Sequence, residues 1–122
     1  MAKLEATRGS IGVQSFISSS VSAASLIRDR SLDLVFIDGD RSYGAVQQDI
    51  LAWMPKIKPG GIICGHDCET RPTPQLQDRL WSAKDDDVVD GAGTTFPVIH
   101  PGSILAVLDS LGGKQICALT TL

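Results

Sequence analysis

The chain has 122 residues, a length typical of one domain with a modest hydrophobic core. Hydrophobic residues make up 43% and charged residues 20%, which is ordinary for a soluble globular protein, and the net charge of −3 argues against a nucleic-acid-binding surface. No apolar run approaches the roughly 20 residues of a membrane span, and no signal-peptide block opens the chain, so we expect a cytoplasmic protein.

The first part of the chain is predicted to alternate between strands and helices. Residues 1–11 are polar and are expected to be flexible, and GVQSFI at 12–17 is predicted to form a short strand. Three serines at 18–20 supply helix-capping side chains, and the helical spacing that follows continues to Arg28–Arg30. The strongest strand is Leu32–Ile37, a nearly continuous apolar run typical of a parallel strand covered on both faces.

A second helix is predicted next, because four apolar residues recur at helical spacing: Val46, Ile50, Trp53 and Ile57. Lys58–Gly61 is predicted to form a turn, and Ile62–Cys64 the next strand. Strand, helix, strand, helix and strand therefore follow one another from residue 12 to residue 67. This alternation predicts an α/β fold with a parallel sheet and flanking helices.

The pattern after residue 67 is weaker. Five further segments are predicted there: a helix at Pro74–Ala83, an exposed acidic loop at 84–93, extended chain at Phe96–Ile99, a helix at Ser103–Leu111 and a last strand at Gln115–Leu119. Gly112 and Gly113 signal the end of the second of these helices. We expect the whole chain, residues 1–122, to form one domain.

Charged and polar residues follow both predicted parallel strands. Asp38 and Asp40 come after the first, and His66 and Asp67 after the second. Ligands of open α/β sheets bind beyond the carboxyl ends of the strands, so we expect these side chains around one crevice. Two carboxylates and a histidine can bind a divalent cation or supply a general base. Turn and helix-capping roles account for the same residues, because Asp-Gly and Gly-Gly are common turn formers.

Two other possible metal sites are weaker. Cys64, His66 and Cys68 alternate along the chain and could hold zinc with His100, although this spacing is not a usual zinc pattern. The run at 85–87 is three aspartates, which is more typical of a solvated loop than of a calcium site. Three cysteines without a C-x-x-C pair favour reduced thiols over a disulfide framework.

The stretch DLVFIDGDRSYGAVQQDILAWMPKIKPGGIICGHD, residues 33–67, resembles a known family. It is similar to the region of the fourth and fifth strands of class I S-adenosylmethionine-dependent methyltransferases. The nearest group is the small-molecule and sugar-type enzymes, with the pattern F-I-D-G-D-H-S-Y, then K-P-G-G, then G-H-D. IHPGSILAVLDSLGG at 99–113 looks like a helix of some of these relatives. The resemblance implies a Rossmann-like parallel sheet and methyl transfer to a small-molecule acceptor.

The resemblance also implies roles by position. It implies catalytic roles for Asp38 and His66. It implies that S-adenosylmethionine, the methyl donor, is bound by four residues: Ser19, Ser20, Asp38 and Gly39. It implies that a divalent cation such as Mg²⁺ is held by three residues, as in metal-dependent relatives: Asp38, His66 and Asp67.

The sequence departs from the family pattern at two places. Arg41 stands where the pattern has His, and a guanidinium cannot act as a base because it does not deprotonate in proteins. Arg41 could instead pair with Asp38 or Asp40 and compete with a metal. The acidic-x-Gly-x-Gly loop that follows the family's first strand is absent, as is the second strand with its ribose-binding acid. We therefore expect a truncated fold that corresponds to the carboxyl-side half of the domain.

The truncated fold is expected to lack the family's first two strands, and this has a consequence for assembly. Their absence would leave one edge of the Leu34–Ile37 strand without a neighbour, and exposed edges of apolar strands tend to pair. We expect either that Gly12–Ile17 lies beside this strand or that a homodimer covers the edge; neither nucleic acid nor membrane is an expected partner.

Three functional hypotheses follow. The chain is a methyltransferase-like remnant or subunit that binds the donor weakly or not at all, or an enzyme that completes its cofactor site across a dimer or with a partner chain, or a non-enzymatic interaction module that reuses the crevice.

Overall fold

The computed structural model describes residues 12–112 as helices packed on small β-sheets. In chain order the elements are α1 Ser20–Ala24, β1 Leu32–Ile37, α2 Tyr43–Trp53, a 3-10 turn at Met54–Lys56, β2 Ile57–Gly65, α3 Pro74–Ser82, β3 Val89–Asp90, β4 Val98–Ile99 and α4 Pro101–Leu111. No helix in this part of the chain has both the length and the apolar character needed to cross a membrane.

Helix α1 begins as predicted and ends early. The Ser19 hydroxyl caps it by accepting a hydrogen bond from the Ser22 N–H at 3.2 Å. The prediction that the helix continues to Arg28–Arg30 is wrong, because the chain turns toward the 3-10 turn at Met54–Lys56, which follows α2. The N–H of Arg30 donates to the carbonyl of Pro55 at 3.0 Å, a contact that a continuous helix could not make.

Strands β1 and β2 pair side by side in the same direction, as predicted, and Phe36 lies opposite Cys64. The predicted turn at Lys58–Gly61 is instead an irregularity inside β2, which begins at Ile57. Leu32 pairs with Ile57 and Leu34 with Ile62, so the intervening residues bulge out of the ladder. Gly60 makes this possible with its φ of +82°, a left-handed conformation that favours glycine.

Only one face of this sheet is covered within residues 12–112. Ile37 and Ile63 pack against a buried cluster contributed by α2 and α4: Val46, Ile50 and Ala106. Strand side chains alternate between faces, and the opposite face carries three residues that are more than half exposed: Leu34, Phe36 and Ile62. The expectation that β1 is covered on both faces is therefore wrong for the described part of the chain.

Gly12–Ile17 does not form the predicted strand, and β1 has no second strand neighbour among the described residues. The physical reason is the spacing of its apolar side chains. Val13, Phe16 and Ile17 fall on both sides of an extended chain, so no single face can be buried, and Ile17 is 82% exposed.

A second core joins α3, α4 and the β3–β4 pair. Five buried residues form it: Leu76, Leu80, Ile99, Ile104 and Leu105. Helix α4 begins at Pro101, two residues before the predicted start, because proline suits the first helical position. It ends at Gly112 in the left-handed conformation, as the glycine pair predicts. The strand predicted at Gln115–Leu119 lies outside the described residues, as do residues 1–11.

Candidate functional site

The carboxyl ends of β1 and β2 lie together, with Ile37 opposite Gly65, and the predicted site residues follow at once. Asp38, His66 and Asp67 each place one ligand atom within 4.8 Å of the others. We call these three residues the rim. They line a cavity of about 810 Å³ that extends along β2 to the end of α4. The predicted convergence of four residues on one crevice is confirmed, because the cavity is lined by all of them: Asp38, Asp40, His66 and Asp67.

Asp67 is the least exposed member of the rim, with a side chain that is 9% accessible. Its backbone has a φ of +62°, a left-handed conformation that aspartate tolerates better than most residues. One carboxylate oxygen, Oδ2, accepts a hydrogen bond from Arg41 Nε. The other, Oδ1, lies 2.7 Å from His66 Nδ1 and 3.7 Å from His100 Nδ1. Burial raises the pKa of Asp67, but Arg41 and the two histidines outweigh it and hold the pKa below its usual range.

Arg41 joins the rim to the loop that follows α3. Its Nη1 donates to Asp87 Oδ1 at 3.0 Å, while Nε donates to Asp67. The hydrogen bond that Arg41 donates to Asp67 and, second in effect, the one it donates to Asp87 raise the pKa of Arg41 above its ordinary value. The prediction that Arg41 pairs with Asp38 or Asp40 is wrong, because its partners are Asp67 and Asp87.

Asp40 has a local role instead. Its Oδ1 accepts a hydrogen bond from the Ser42 N–H at 2.8 Å, which lowers the pKa of Asp40 and shapes the turn into α2. The turn-forming alternative therefore describes Asp40 in this structure.

Sequence reasoning missed Glu69, which lies beside the rim. Its Oε2 accepts a hydrogen bond from the His100 N–H at 3.2 Å, and its Oε1 contacts His100 Nδ1. Asp67, Glu69 and His100 form a second group whose ligand atoms lie within 4.8 Å of one another. No pattern in the sequence links Glu69 to a partner 31 residues away. His100 stands immediately before α4 as its N-cap residue.

The rim as it stands does not fit a divalent cation. Both oxygens of Asp67 already face nitrogen atoms, Oδ2 that of Arg41 and Oδ1 that of His66, and the positive charge of Arg41 would repel a cation. His66 likewise has its Nδ1 directed at Asp67 rather than at an open position. Arg41 would therefore compete with a cation for Asp67.

The zinc and calcium alternatives gain nothing from the structure. The groups of described residues that could hold a metal contain no cysteine. Cys64 Sγ lies 3.5 Å from the Val35 carbonyl, a contact within the sheet. In the aspartate loop, Asp85 pairs with Lys84 at 2.7 Å and Asp87 pairs with Arg41, so both carboxylates have protein cations as partners.

A second groove, of about 430 Å³, runs along the unpaired edge of β1. It brings together three of the four residues predicted to bind the donor: Ser20, Asp38 and Gly39. Trp53 lines the same groove and donates from Nε1 to Ser20 Oγ at 2.8 Å. Ser19 is not among the lining residues, since its hydroxyl is used to cap α1.

Comparison with known proteins shows similarity to a protein family and to a curated protein. Residues 4–68 match the model of a family described as a methyltransferase domain. A similar curated protein, the uncharacterized protein y4gI of Sinorhizobium fredii (strain NBRC 101917 / NGR234), is 40% identical over 45 residues. These residues are 37% of this chain and 5% of that protein, so the match spans a small fraction of the relative's length. No solved structure matches the chain.

Proposed function

The chain belongs to the methyltransferase-domain family whose model it matches over residues 4–68, and we propose on this basis that it is part of an S-adenosylmethionine-dependent methyltransferase. The observation that carries the proposal is the meeting of Ser20, Asp38 and Gly39 in the groove beside β1, directly behind the rim. In open α/β sheets this is the end of the strands where ligands bind.

The chemistry assigned to the chain uses all three side chains of the rim. S-adenosylmethionine, when bound, supplies an electrophilic methyl group on a positively charged sulfur. The Asp38 carboxylate attracts this charge. The exposed imidazole of His66 would accept the proton that the acceptor loses as its nucleophilic atom bonds to the methyl carbon and the carbon–sulfur bond breaks, which leaves S-adenosylhomocysteine. Asp67 orients that imidazole through Nδ1, which leaves Nε2 as the basic atom.

Among residues 12–112, nothing corresponds to the loop that would hold the methionine end of the donor. The sequence contains no acidic-x-Gly-x-Gly loop to approach the donor with its backbone. Within residues 12–112 the edge of β1 away from β2 has no strand neighbour, so this edge and the groove along it offer a place for one more strand. We propose that a second copy in a homodimer, a partner chain or a further part of a longer polypeptide supplies it.

A non-enzymatic interaction module is the second candidate. The observation in its favour is the apolar face of the sheet, where Leu34, Phe36 and Ile62 are each more than half exposed. On this reading the face binds another protein, and the groove beside β1 holds no donor.

Calorimetric titration with S-adenosylmethionine and S-adenosylhomocysteine distinguishes the two. We expect weak binding of both ligands that Asp38→Ala abolishes. Asp33→Ala is the matched control, because Asp33 is an exposed carboxylate near the other end of the same strand and pairs with Lys58. Absence of binding at any protein concentration, or equal loss in both variants, would favour the interaction module.

The same titration in the presence of Mg²⁺, Mn²⁺ or Ca²⁺ tests the cation predicted at Asp38, His66 and Asp67. Enhanced donor binding with the cation, lost in Asp67→Ala, would support it. Because the present contacts of Asp67 do not fit a cation, the expected result for the unaltered chain is no enhancement.

A further inference from the structure

The Asp67 carboxylate needs a positive partner. It is nine-tenths withdrawn from water, and a carboxylate in that position is costly unless it is paired and hydrogen-bonded. The resemblance implies that in metal-dependent relatives a divalent cation neutralises the carboxylate at this position. In this chain a protein side chain already lies in contact with the carboxylate.

Arg41 is held in place from two directions. Its Nε donates to Asp67 and its Nη1 donates to Asp87, 3.0 Å away. The two acceptors lie 26 and 46 residues further along the chain, so the fold itself brings them to the guanidinium. A planar guanidinium with fixed donors is well suited to bridge two carboxylates in this way.

A guanidinium and a divalent cation compete for the same carboxylate. The guanidinium keeps its proton at any pH at which proteins fold, so it cannot step aside by deprotonation. A cation at Asp67 would also lie beside this positive charge and would be repelled by it. His66 and His100 flank the other oxygen of Asp67, with their Nδ1 atoms 2.7 and 3.7 Å from it.

We propose that Arg41 is the built-in counter-ion of Asp67 and makes the rim independent of divalent cations. The inference deepens the proposed function and rests on it for the choice of site. The test of this inference needs neither methyl donor nor acceptor. The inference about Arg41 can therefore fail while the methyltransferase assignment stands, and the assignment can fail while the inference stands. Arg41 acts through Asp67, and it is a positioning residue rather than a catalytic one.

The experiment measures Mn²⁺ binding to the full chain by the electron paramagnetic resonance signal of the free ion. We expect Arg41→Ala to bind Mn²⁺ at least about tenfold more tightly than the unaltered chain, as for other changes beside a metal site. Arg41→His, which restores the residue of the family pattern, is expected to show the same gain. Adding Asp67→Asn to Arg41→Ala should abolish it, and asparagine tolerates the left-handed backbone at this position.

Arg79→Ala is the matched control, because it removes the same charge from an arginine that pairs with Asp90, away from the rim. A gain in Arg79→Ala equal to that in Arg41→Ala would overturn the proposal, since it would reflect net charge alone. A gain that survives Asp67→Asn would do the same. If circular dichroism shows that Arg41→Ala does not fold, Arg41→Gln keeps the bulk of the side chain and answers the same question. Tight Mn²⁺ binding by the unaltered chain that Asp67→Asn abolishes would overturn the proposal without any arginine variant.

Discussion

At the scale of single residues, Asp67 combines a left-handed backbone, a carboxylate almost out of water and three basic neighbours. A non-glycine residue in this backbone region carries strain, and such residues concentrate at functional sites. The contacts of Arg41, His66 and His100 offset the cost of burying the charge. The rim is therefore an electrostatically coupled unit in which a change at one side chain alters the others.

This coupling predicts acid sensitivity. The pKa of Asp67 is lowered in the folded chain, so its ionised form stabilises the fold above the unfolded pKa near 3.8, and this stabilisation is lost as the pH falls through the folded value. We expect the free energy of unfolding to decrease from about pH 4 downward, and Asp67→Asn to remove part of that slope. Urea unfolding at a series of pH values, followed by tryptophan fluorescence, measures how the free energy of unfolding depends on pH. Asp33→Asn removes an exposed carboxylate and serves as the control; an identical slope in Asp67→Asn and the unaltered chain would contradict the prediction.

The single tyrosine reports on a second contact. Tyr43 Oη donates to Asp109 Oδ2 at 2.5 Å, which ties the start of α2 to the end of α4 and raises the pKa of the phenol above 10.0. We expect Asp109→Asn to lower that pKa toward its ordinary value, because the neutral amide no longer favours the protonated phenol. Absorbance of the phenolate during alkaline titration measures it without interference from another tyrosine. Asp78→Asn, on the exposed side of α3, should leave the titration unchanged, and a shift there as large as in Asp109→Asn would refute the assignment.

At the scale of elements, α4 approaches the rim through a glycine. A Cβ on Gly102 would lie 2.5 Å from the carbonyl oxygens of Arg41 and Lys84 and from the nitrogen of Tyr43. All three are backbone atoms and cannot give way easily. Close packing at Gly102 therefore positions the segment that carries Arg41 against the start of α4.

Gly102→Ala is expected to destabilise the chain by about 1–3 kcal/mol, the usual cost of overpacking. Gly44→Ala is the matched control, because Gly44 lies in α2 and a Cβ there meets nothing within 4 Å. That change should be neutral or stabilising by up to about 1 kcal/mol, since alanine favours the helix. Thermal or urea unfolding of both variants measures the difference. Equal stability of the two variants would show that α4 does not pack as closely as described.

At the scale of the whole molecule, the sheet is open in two ways. One edge of β1 lacks a strand neighbour within residues 12–112, and the face formed by Leu34, Phe36 and Ile62 is uncovered. Apolar surface of this kind tends to be buried against another chain or against more of the same one. This openness is the physical basis for the proposed homodimer.

We expect the 122-residue chain to dimerise at micromolar concentration and Phe36→Lys to shift it toward monomer, because a charge on the uncovered face opposes burial. Size-exclusion chromatography with light scattering measures the mass. Val88→Lys, which changes an exposed apolar residue outside both sheets, is the control. A clean monomer for the unaltered chain would count against the homodimer and favour a partner chain or a further part of the polypeptide.

Several features followed from the sequence alone because they depend on neighbours in the chain. The apolar run that became β1, the spacing that became α2 and the glycine that ends α4 are local patterns. The convergence of Asp38 with His66 and Asp67 also followed, because parallel strands bring their carboxyl ends to one edge. The family was evident from the same stretch of residues.

Tertiary structure alone decided the rest, because those features depend on residues far apart in sequence. The partners of Arg41 lie 26 and 46 residues away, and Glu69 meets His100 across 31 residues. The early end of α1 and the bulge in β2 likewise come from contacts with other segments. Local patterns indicate which side chains lie at the end of a strand. Only the packing of distant segments determines which basic side chain pairs with which carboxylate.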